Sequence, residues 1–540
     1  MRKEPLSSIF FNSPIFAMNL NNKKEKKIRC ITQLENINLK YNIVESVNTL
    51  NIKKLYGNYR QPGEIGYVST IRSIIKDFLN NYDNEYVIIL DDDIMFNKNF
   101  TEKIKSYNSE LTDFDVLYLG ASEWSNFNFD NIDKNYYIPN TKKTKYGDGT
   151  CGSFANIYKR SFLQRFYKYF CNIDDAFDRS LKNFLDKGNS IAYVLYPNLV
   201  ITSIIDSDIR KNKDSDVTNR IEKMKWDYNN YYDINSLPPL FSFAIITYNR
   251  GKFLPNTIQN ILDQYVENNK LDPKYYEIII LDDASTDGTE NIISSYIKIP
   301  NIHYYKNSKQ LGIPCSRNKI NNLCNGKYIV VTDDDDIILN NRIESIVDKL
   351  SYNDGKFAGT NSGWINFNLT ENKLGSFQSG GLMTPETLLF SGGIAMHPAI
   401  CYRKDVILEI TYPEDIPFNS DWAVLSEIVC NGYKFNNTNS YNIIKIDHNS
   451  CVTNTKPRIN YARIYRVKLL DRFYQDPEFG SDKKKNGCWK GLNINQAKYL
   501  DKRKDEIIKK YVYNPKKPDT EFIYNSVKLF KKNFSYYSND

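Results

Sequence analysis

Histidine, closely spaced cysteine pairs and long apolar segments are scarce or absent in this sequence. It has 3 His and 9 Cys among 540 residues and no C-x-x-C spacing, so we predict no zinc site of the Cys/His type. The odd number and the scatter of the cysteines indicate reduced thiols and a cytoplasmic compartment. No apolar run approaches the ~18 residues of a membrane-spanning helix, and the apolar N-terminal stretch is too short for a signal peptide. We therefore expect a soluble protein.

The length of the chain predicts several domains, and its basic residues are unevenly distributed. A typical domain of about 150 residues suggests about two to four domains in this chain. Charged residues make up 25% and hydrophobic residues 41% of it, as in ordinary globular proteins. The net charge of +8 is concentrated in a Lys-rich tail after about residue 453. This tail could contact an anionic partner, or it could be a solvated helical appendage.

The most informative segment is a predicted strand that runs into four carboxylates. Residues 328–332 (YIVVT) are β-branched or aromatic without polar alternation, which is typical of a strand buried on both faces of a parallel sheet. Asp333–Asp336 follow directly. Adjacent carboxylates repel one another unless solvent or a cation lies among them. Because ligands of open α/β sheets bind beyond the carboxyl ends of the strands, we predict a divalent metal site here, with a solvated acidic turn as the alternative.

A weak internal repeat of about 230–240 residues supplies a second copy of this feature. Residues 85–90 (EYVIIL) read as another buried strand, and they end in Asp91-Asp92-Asp93. Further strands of the two halves correspond in order: 14–20 with 241–247, 151–158 with 395–402, and 191–195 with 441–446. The simplest account is two mixed α/β domains of similar plan. We place their limits at 1–210 and 240–455, with a linker at 211–239 that ends in Pro-Pro and a basic, partly helical extension at 456–540.

Two acidic segments of the second half together predict a nucleotide diphosphate as ligand. The strand 277–281 is followed by Asp282 and Asp283 in a turn-forming loop. Its spacing imitates an EF-hand, but the required Glu is replaced by Ser294, so calcium binding is excluded. A carboxylate at such a strand end can instead accept hydrogen bonds from a ribose or base. In the D-x-D spacing of the second cluster, alternate side chains point the same way, so two can share a cation that bridges phosphates.

The order of motifs from residue 241 to about 453 resembles the family 2 glycosyltransferases of GT-A fold. The matching stretches are TYNR (247–250), LDDASTDGT (281–289), LGIPCSRN (311–318), VVTDDDDI (330–337) and NSDW (419–422). Ala284 stands where the family usually has Gly, and Ser420 where an acidic residue is common. The Q-x-x-R-W motif of processive polysaccharide synthases is absent, which argues against a polymerising enzyme.

This resemblance implies a role for each matching residue. The nucleotide-sugar-binding residues would be Thr247, Asn249, Asp283, Arg317, Asn318 and Asp334. Asp333 and Asp335 would bind the metal, Asp421 would be the catalytic base, and His448 sits where some members have a His near the metal.

The first half resembles family 25, the group of lipooligosaccharide galactosyltransferases and collagen galactosyltransferase domains. The matching stretches are FAMNLNNKKEKK (16–27), GEIGYVST (63–70), YVIILDDDIMF (86–96), DFDVLYLG (113–120), GTCGSFANIY (149–158) and SDIR (207–210). Asp91 stands where the family has Glu, and Thr70 where a Ser-His pair is usual. The carboxylates after the strand, Asp91 and Asp93, are predicted metal ligands, and by the repeat Asp174 or Asp175 would be the counterpart of the base.

The two resemblances imply a hexosyltransferase with two tandem GT-A (Rossmann-like) domains and mostly parallel sheets. It would be inverting, dependent on Mn²⁺ or Mg²⁺, and specific for a nucleotide sugar, with a UDP-hexose favoured. The acceptor could be a glycan, a lipid-linked saccharide or a protein side chain, and nucleic acid is not expected. Two alternatives stay open: a degenerate first domain that serves in acceptor binding, and a nucleotidyltransferase, which also uses paired Asp and metal.

Overall fold

The computed structural model describes residues 4–203, 226–448 and 515–536, except 50, 53, 108–110, 112, 124–131, 133, 143–148, 351–354, 385–386, 389–394 and 417–418. The chain forms two compact units, Met1–Leu237 and Pro238–Leu350 with Lys356–Asp540. Within the segment that we expected to be a linker, residues 226–237 belong to the first unit. Trp226 Nε1 donates to Asn198 Oδ1 at 2.6 Å, and Gln33 Nε2 donates to the carbonyl of Tyr232 at 2.8 Å.

The first unit is a mixed α/β sheet with helices packed on it. Its helices are α1 (Leu6–Asn12), α2 (Lys24–Asn36), α3 (Pro62–Asn81), α4 (Phe100–Ser106), α5 (Arg160–Phe170) and α6 (Phe177–Leu185). Its strands are β1 (Ile15–Leu20), β2 (Asn42–Ser46), β3 (Tyr86–Leu90), β4 (Ile94–Phe96), β5 (Val116–Tyr118), β6 (Ser122–Glu123), β7 (Tyr136–Tyr137), β8 (Thr150–Cys151), β9 (Ala155–Lys159), β10 (Ala192–Leu195) and β11 (Val200–Thr202). The main sheet has the order β2-β1-β3-β9-β5-β10-β7, and β1 is parallel to both β2 and β3.

Apolar spacing explains how the helices of the first unit pack. The α3 residues Ile71, Ile74, Ile75 and Phe78 recur every three or four positions, and all four are buried. They join one cluster with residues of α5 and with the strand β3, whose five residues are all buried. Pro62 begins α3, a position where the missing N–H costs nothing.

The second unit contains a larger mixed sheet. Its helices are α7 (Leu254–Leu262), α8 (Thr289–Ile293), α9 (Ile313–Leu323), α10 (Arg342–Lys349), α11 (Lys404–Glu409), α12 (Ser420–Cys430) and α13 (Thr520–Tyr536). Its strands are β12 (Phe241–Thr247), β13 (Tyr265–Val266), β14 (Asn269–Lys270), β15 (Tyr276–Asp282), β16 (Ile302–Lys306), β17 (Tyr328–Asp333), β18 (Ile337–Ile338), β19 (Phe357–Asn368), β20 (Lys373–Gln378), β21 (Ile400–Arg403) and β22 (Lys434–Asp447).

Parallel strands form the part of this second sheet that carries the motifs. The order is β16-β15-β12-β17-β21-β19-β22-β18, with β20 paired to β19. The first four strands are mutually parallel, and β21 runs antiparallel to β17. The predicted α/β class with largely parallel strands is confirmed, and antiparallel strands complete a mixed sheet in both units.

The C-terminal helix α13 packs on the second unit. Its residues Ile523, Val527 and Phe530 follow a helical i, i+4, i+7 spacing and are fully buried. They share a cluster with Phe253 and Phe367, among others. The helical part of the predicted basic extension is therefore attached to this unit, while residues 456–514 lie outside the described residues. Among the helices of the described ranges, none is long and apolar enough to cross a membrane.

We predict that the aromatic core holds the first unit together. Phe162→Ala should lower the free energy of unfolding of this unit by ~3–5 kcal/mol, because the ring is fully buried and leaves a cavity. Phe11→Ala is the matched control, since Phe11 is 39% exposed. Urea denaturation followed by circular dichroism measures both variants, and equal losses would contradict the assignment of Phe162 to the core.

Candidate functional site

The ends of parallel strands bring predicted site residues to one edge of the second sheet. Thr247 is the last residue of β12 and pairs in register with Asp282 at the end of β15. On the other side of β12, Ile246 pairs with Asp333, the last residue of β17. Polar residues that follow parallel strands meet at the carboxyl edge of the sheet. The motifs that are separate in the sequence are therefore neighbours in space.

Arg250 binds two of the four consecutive carboxylates. Its Nη1 donates to Asp334 Oδ1 at 2.9 Å and to Asp335 Oδ2 at 2.7 Å. Thr247 Oγ1 donates to Asp334 Oδ2 at 2.8 Å, so both carboxylate oxygens of Asp334 are engaged. Burial raises the pKa of Asp334 to about 7, with a further rise from the charge of Asp335, while Arg250 opposes both. Arg250 was not among the predicted site residues, although its place at the end of TYNR was a signal for it.

His448 contacts Asp335 from the end of another strand. His448 Nε2 lies 3.2 Å from Asp335 Oδ2, one residue beyond the end of β22. Burial alone would raise the pKa of Asp335, but the hydrogen bond to His448 and the charge of Arg250 outweigh it and lower that pKa. Asp335 is therefore held as an anion next to an imidazole.

Arg317 pairs with the first carboxylate of the cluster. Its Nη2 donates to Asp333 Oδ1 at 2.6 Å, and the Asp333 side chain is 32% exposed while that of Arg317 is 8% exposed. In the described part of the chain, Arg317 Nε and Nη1 have no hydrogen-bond partner although both are buried. The guanidinium of Arg317 is thus held in a buried position by its ion pair with Asp333, and within the described residues part of its hydrogen-bonding capacity is unused.

Asp421 lies in the first turn of α12 and is electrostatically linked to this pair. Burial raises the pKa of Asp421, the backbone N–H of Trp422 opposes the rise, and the charge of Asp333 adds to it. Arg317 lowers the same pKa slightly. A carboxylate with a raised pKa is a stronger base, and this suits it to accept a proton near neutral pH.

Asp283 is satisfied by hydrogen bonds from its own chain. Its Oδ1 accepts from Asn307 Nδ2 at 2.7 Å and from the backbone N–H of Leu311 at 2.8 Å, and its Oδ2 accepts from the Gly312 N–H at 2.9 Å. The carboxylate thereby holds the loop that leads into α9 against the end of β15. Its predicted contact with the nucleoside stays a prediction.

Two asparagines of the predicted set connect neighbouring loops. Asn249 Oδ1 accepts from the backbone N–H of Thr286 at 2.8 Å. Asn318 exchanges a pair of hydrogen bonds with the backbone of Tyr412, each 2.9 Å long. Both residues shape the edge of the site in this geometry, and their binding of a nucleotide sugar stays a prediction.

The alanine at position 284 has a conformation that favours glycine. Its φ is +68°, in the left-handed region. This conformation costs a residue with a Cβ about 1–2 kcal/mol. That cost accounts for the Gly that the resembling family usually has here. Ala284→Gly should therefore be tolerated without rearrangement of the loop.

The donor chemistry of the cluster fits a hard divalent cation. Among the described residues, no group of three or more His, Cys, Asp or Glu side chains is arranged to hold a metal ion. Cations that act on phosphates are commonly bound by one or two carboxylates, with water and substrate oxygens completing the shell. The partly exposed Asp333 and the anionic Asp335 next to His448 meet that requirement.

The carboxylates of the first unit have neutral hydrogen-bond donors. Tyr67 Oη donates to Asp91 Oδ1 at 3.1 Å, and Asn19 Nδ2 donates to Asp92 Oδ2 at 2.7 Å. Burial raises the pKa of Asp91 well above its ordinary range, and the charges of Asp93 and Asp92 raise it further. Of the two candidates for a base, Asp175 is engaged by Arg179 Nε at 2.6 Å.

A cavity lies at the carboxyl ends of the parallel strands β1 and β2. Its volume is about 750 Å³, and it is lined by Asn21, Asn22, Lys24, Glu45, Ser46, Val47 and Asn48. This is the edge of an α/β sheet where ligands usually bind. The predicted metal ligands Asp91 and Asp93 are not part of its lining.

Residues 242–410 match the family model of glycosyl transferase family 2. This chain contains a family 2 glycosyltransferase domain. An uncharacterized glycosyltransferase of Methanocaldococcus jannaschii is 29% identical over 205 residues, 36% of this chain and 67% of the relative. A putative teichuronic acid biosynthesis glycosyltransferase of Bacillus subtilis is 34% identical over 99 residues, 18% of this chain and 36% of the relative. These findings support a glycosyltransferase enzyme, and the resemblance of residues 1–210 to family 25 stays a prediction.

Solved structures with some likeness to the chain include two complexes with nucleotide sugars. Residues 1–349 of S. aureus TarS with UDP-GlcNAc align over 43% of this chain and 66% of theirs, at 16% identity and a TM-score of 0.34. A mannosyltransferase of Pyrobaculum calidifontis with GDP-Man and Mn²⁺ aligns over 56% and 84%, at 15% identity and a TM-score of 0.30. Both scores are low.

The raised pKa of Asp334 predicts a pH-dependent stability. Its carboxyl binds a proton more tightly in the folded than in the unfolded chain, so stability should fall as the pH rises from about 4 towards 7, by up to ~1.4 kcal/mol per pH unit. Asp334→Asn should flatten this dependence. The exposed Asp348→Asn is the control, and denaturant unfolding at several pH values is the measurement. An unchanged slope in Asp334→Asn would contradict the assignment.

Proposed function

We propose that the second unit transfers a hexose from a nucleotide sugar, with a UDP-hexose as the favoured donor, to an acceptor hydroxyl with inversion at the anomeric carbon. The observation that carries this proposal is the pairing of Arg317 with Asp333 beside the raised-pKa carboxyl of Asp421. A guanidinium held at the carboxyl edge of the sheet suits a diphosphate, and a basic carboxylate suits a hydroxyl proton. The family 2 match covers Arg317 and Asp333, and Asp421 follows it in the chain.

Asp421 acts as the general base in this mechanism. Its carboxylate takes the proton of the acceptor hydroxyl as the hydroxyl oxygen forms its bond to the anomeric carbon. The bond between that carbon and the diphosphate oxygen breaks on the opposite face, and the nucleoside diphosphate leaves with the electron pair. Burial of Asp421 raises its pKa and so strengthens it as a base.

Charge that develops on the leaving diphosphate is met by donors fixed in advance. Arg317 is fixed in a buried position beside Asp333 by its ion pair, and a charge fixed in this way needs little reorganisation during the reaction. A divalent cation, Mn²⁺ or Mg²⁺, would neutralise diphosphate charge when bound beside Asp333 and Asp335. Arg250 keeps Asp334 and Asp335 in place through its two hydrogen bonds.

The first unit is proposed as a second glycosyltransferase domain, with Asp91 and Asp93 as metal ligands. Support comes from the repeat, in which carboxylates follow the buried strand β3 as they follow β17 in the second unit. A second candidate, a non-catalytic unit that binds the acceptor, is favoured by the raised pKa of Asp91 and its hydrogen bond from Tyr67. A carboxyl that stays protonated is a poor cation ligand until the cation itself displaces the proton.

Asp421→Asn should lower kcat by ~10²–10⁴-fold, because general base assistance is typically of that size. The KM for the donor and the affinity for UDP should stay within a factor of about two, since the amide keeps the shape of the carboxyl. Transfer is followed as UDP or GDP released from a panel of nucleotide sugars with Mn²⁺ and candidate acceptors. The exposed Asp415→Asn, six residues before Asp421, is the control. Wild-type kcat in Asp421→Asn would overturn the role of the base.

The contributions of the two units are separable with matched variants. Asp335→Asn should abolish the transfer reaction of the second unit. Asp93→Asn should abolish the transfer reaction of the first unit, which would use a different donor or a different acceptor. The measurement is nucleotide release by each variant across the donor panel. If Asp93→Asn retains every activity of the wild type, the first unit is not catalytic, and its acceptor affinity then tests the second candidate.

A further inference from the structure

An aromatic stack connects the C-terminal helix with the carboxylate cluster. The rings of Phe530 and Phe253 are stacked, with centroids 6.0 Å apart and planes at 19°. Phe253 in turn packs on His448, with a centroid distance of 5.0 Å. His448 Nε2 lies 3.2 Å from Asp335 Oδ2. Three successive contacts therefore lead from α13 to a predicted metal ligand.

The two phenylalanines of this stack are buried where ring motion is restricted. Phe253 is 2% exposed, Phe530 is fully buried, and His448 is 8% exposed. Phe253 also ends the short helical turn that begins directly after Arg250. One face of α13 thus packs on Phe253, which contacts the imidazole of His448 and donates its backbone N–H to the carbonyl of Arg250 at 3.0 Å.

The helix α13 has further contacts that hold this face in register. Tyr524 packs edge-on against Phe367 of β19, with ring centroids 5.5 Å apart. Lys531 Nζ donates to Asn372 Oδ1 at 2.9 Å. A helix anchored in this way at several points along its length can hold the ring of Phe530 in a fixed position against Phe253.

We propose that α13 positions the site: Phe530 presses Phe253 onto His448 and so fixes the imidazole against Asp335. Phe530 and Phe253 are positioning residues that act through His448 and do not touch substrate. The proposal rests on the assignment of the carboxylate cluster as the donor site. Groups behind metal-binding and substrate-binding side chains typically change affinity or activity by 10–100-fold when they are removed.

The test compares two truncations on the buried face of α13. Phe530→Ala removes the ring that touches Phe253, and Ile523→Ala removes a fully buried side chain that lies seven residues, or ~10 Å of helix, away. Leu529→Ala, at a 52% exposed position, controls for the substitution itself. Phe530→Tyr keeps the aromatic ring and should behave like the wild type. If Phe530→Ala does not fold, Phe530→Leu takes its place.

The first readout is independent of turnover. With 3 His in the chain, NMR of histidine-labelled protein follows His448 directly, and its signal is assigned with His448→Gln. We expect Phe530→Ala to shift or broaden this signal while those of His303 and His397 stay in place. Ile523→Ala should leave the His448 signal unchanged. An unchanged His448 signal in Phe530→Ala, or an equal shift in Ile523→Ala, would overturn the positioning role.

The second readout is the Mn²⁺ concentration at half-maximal nucleotide release. It should rise by ~10–100-fold in Phe530→Ala and stay near the wild-type value in Ile523→Ala and Phe530→Tyr. Equal changes in Phe530→Ala and Ile523→Ala would show that α13 acts only through stability. A wild-type chain without activity on any donor would refute the proposed function, and the NMR comparison would still decide the role of α13.

Discussion

Four adjacent carboxylates at the end of β17 are the constraint on which the second unit depends. Charges this close in a largely buried environment are costly unless cationic groups or hydrogen bonds compensate them. The compensation comes from separate segments: Arg317 from α9, Arg250 from the turn after β12, and His448 from the end of β22. Each segment must therefore be held in register with the others. The parallel pairing of β12 with both β15 and β17 supplies that register.

The same compensation divides the four carboxylates into different roles. Asp334 has both oxygens engaged and a raised pKa, and Asp336 accepts the backbone N–H of Ile446 at 3.0 Å with a pKa that burial raises well above its usual range. These two support the site. Asp333 is the most exposed of the cluster and Asp335 is held as an anion. The two that remain suited to a ligand are thus the alternate residues of the D-x-D pattern.

The two units share the pattern of a buried strand followed by carboxylates, but they surround it differently. In the second unit the partners of Asp333 and Asp335 are arginines and a histidine. In the first unit Asp91 receives a hydrogen bond from Tyr67, a neutral donor that does not offset its burial, so the pKa of Asp91 rises. Asp91 thus differs from Asp333 and Asp335 in the charge of its hydrogen-bond donor. This difference affects whether the carboxyl of Asp91 is ionised, and a cation binds the ionised form.

The sequence by itself determined the strands and the edge where the motifs meet. Runs of β-branched, aromatic or other apolar residues without polar alternation at 86–90 and 328–332 predict strands buried on both faces, and both strands are present. The local order of polar residues after those strands also follows from the sequence. The sequence did not determine the more distant partners of those residues, because pairing between residues 80 or more positions apart depends on the packing of the whole unit.

Only the tertiary structure decided which side chains neutralise the cluster. Arg250 lies 85 residues from Asp335 and His448 lies 113 residues from it, distances over which no spacing rule operates. The role of α13 is hidden for the same reason: its i, i+4, i+7 stripe predicts an apolar face, but not that Phe530 would stack on Phe253 behind His448. Local pattern thus selects the elements, and long-range packing assigns their partners.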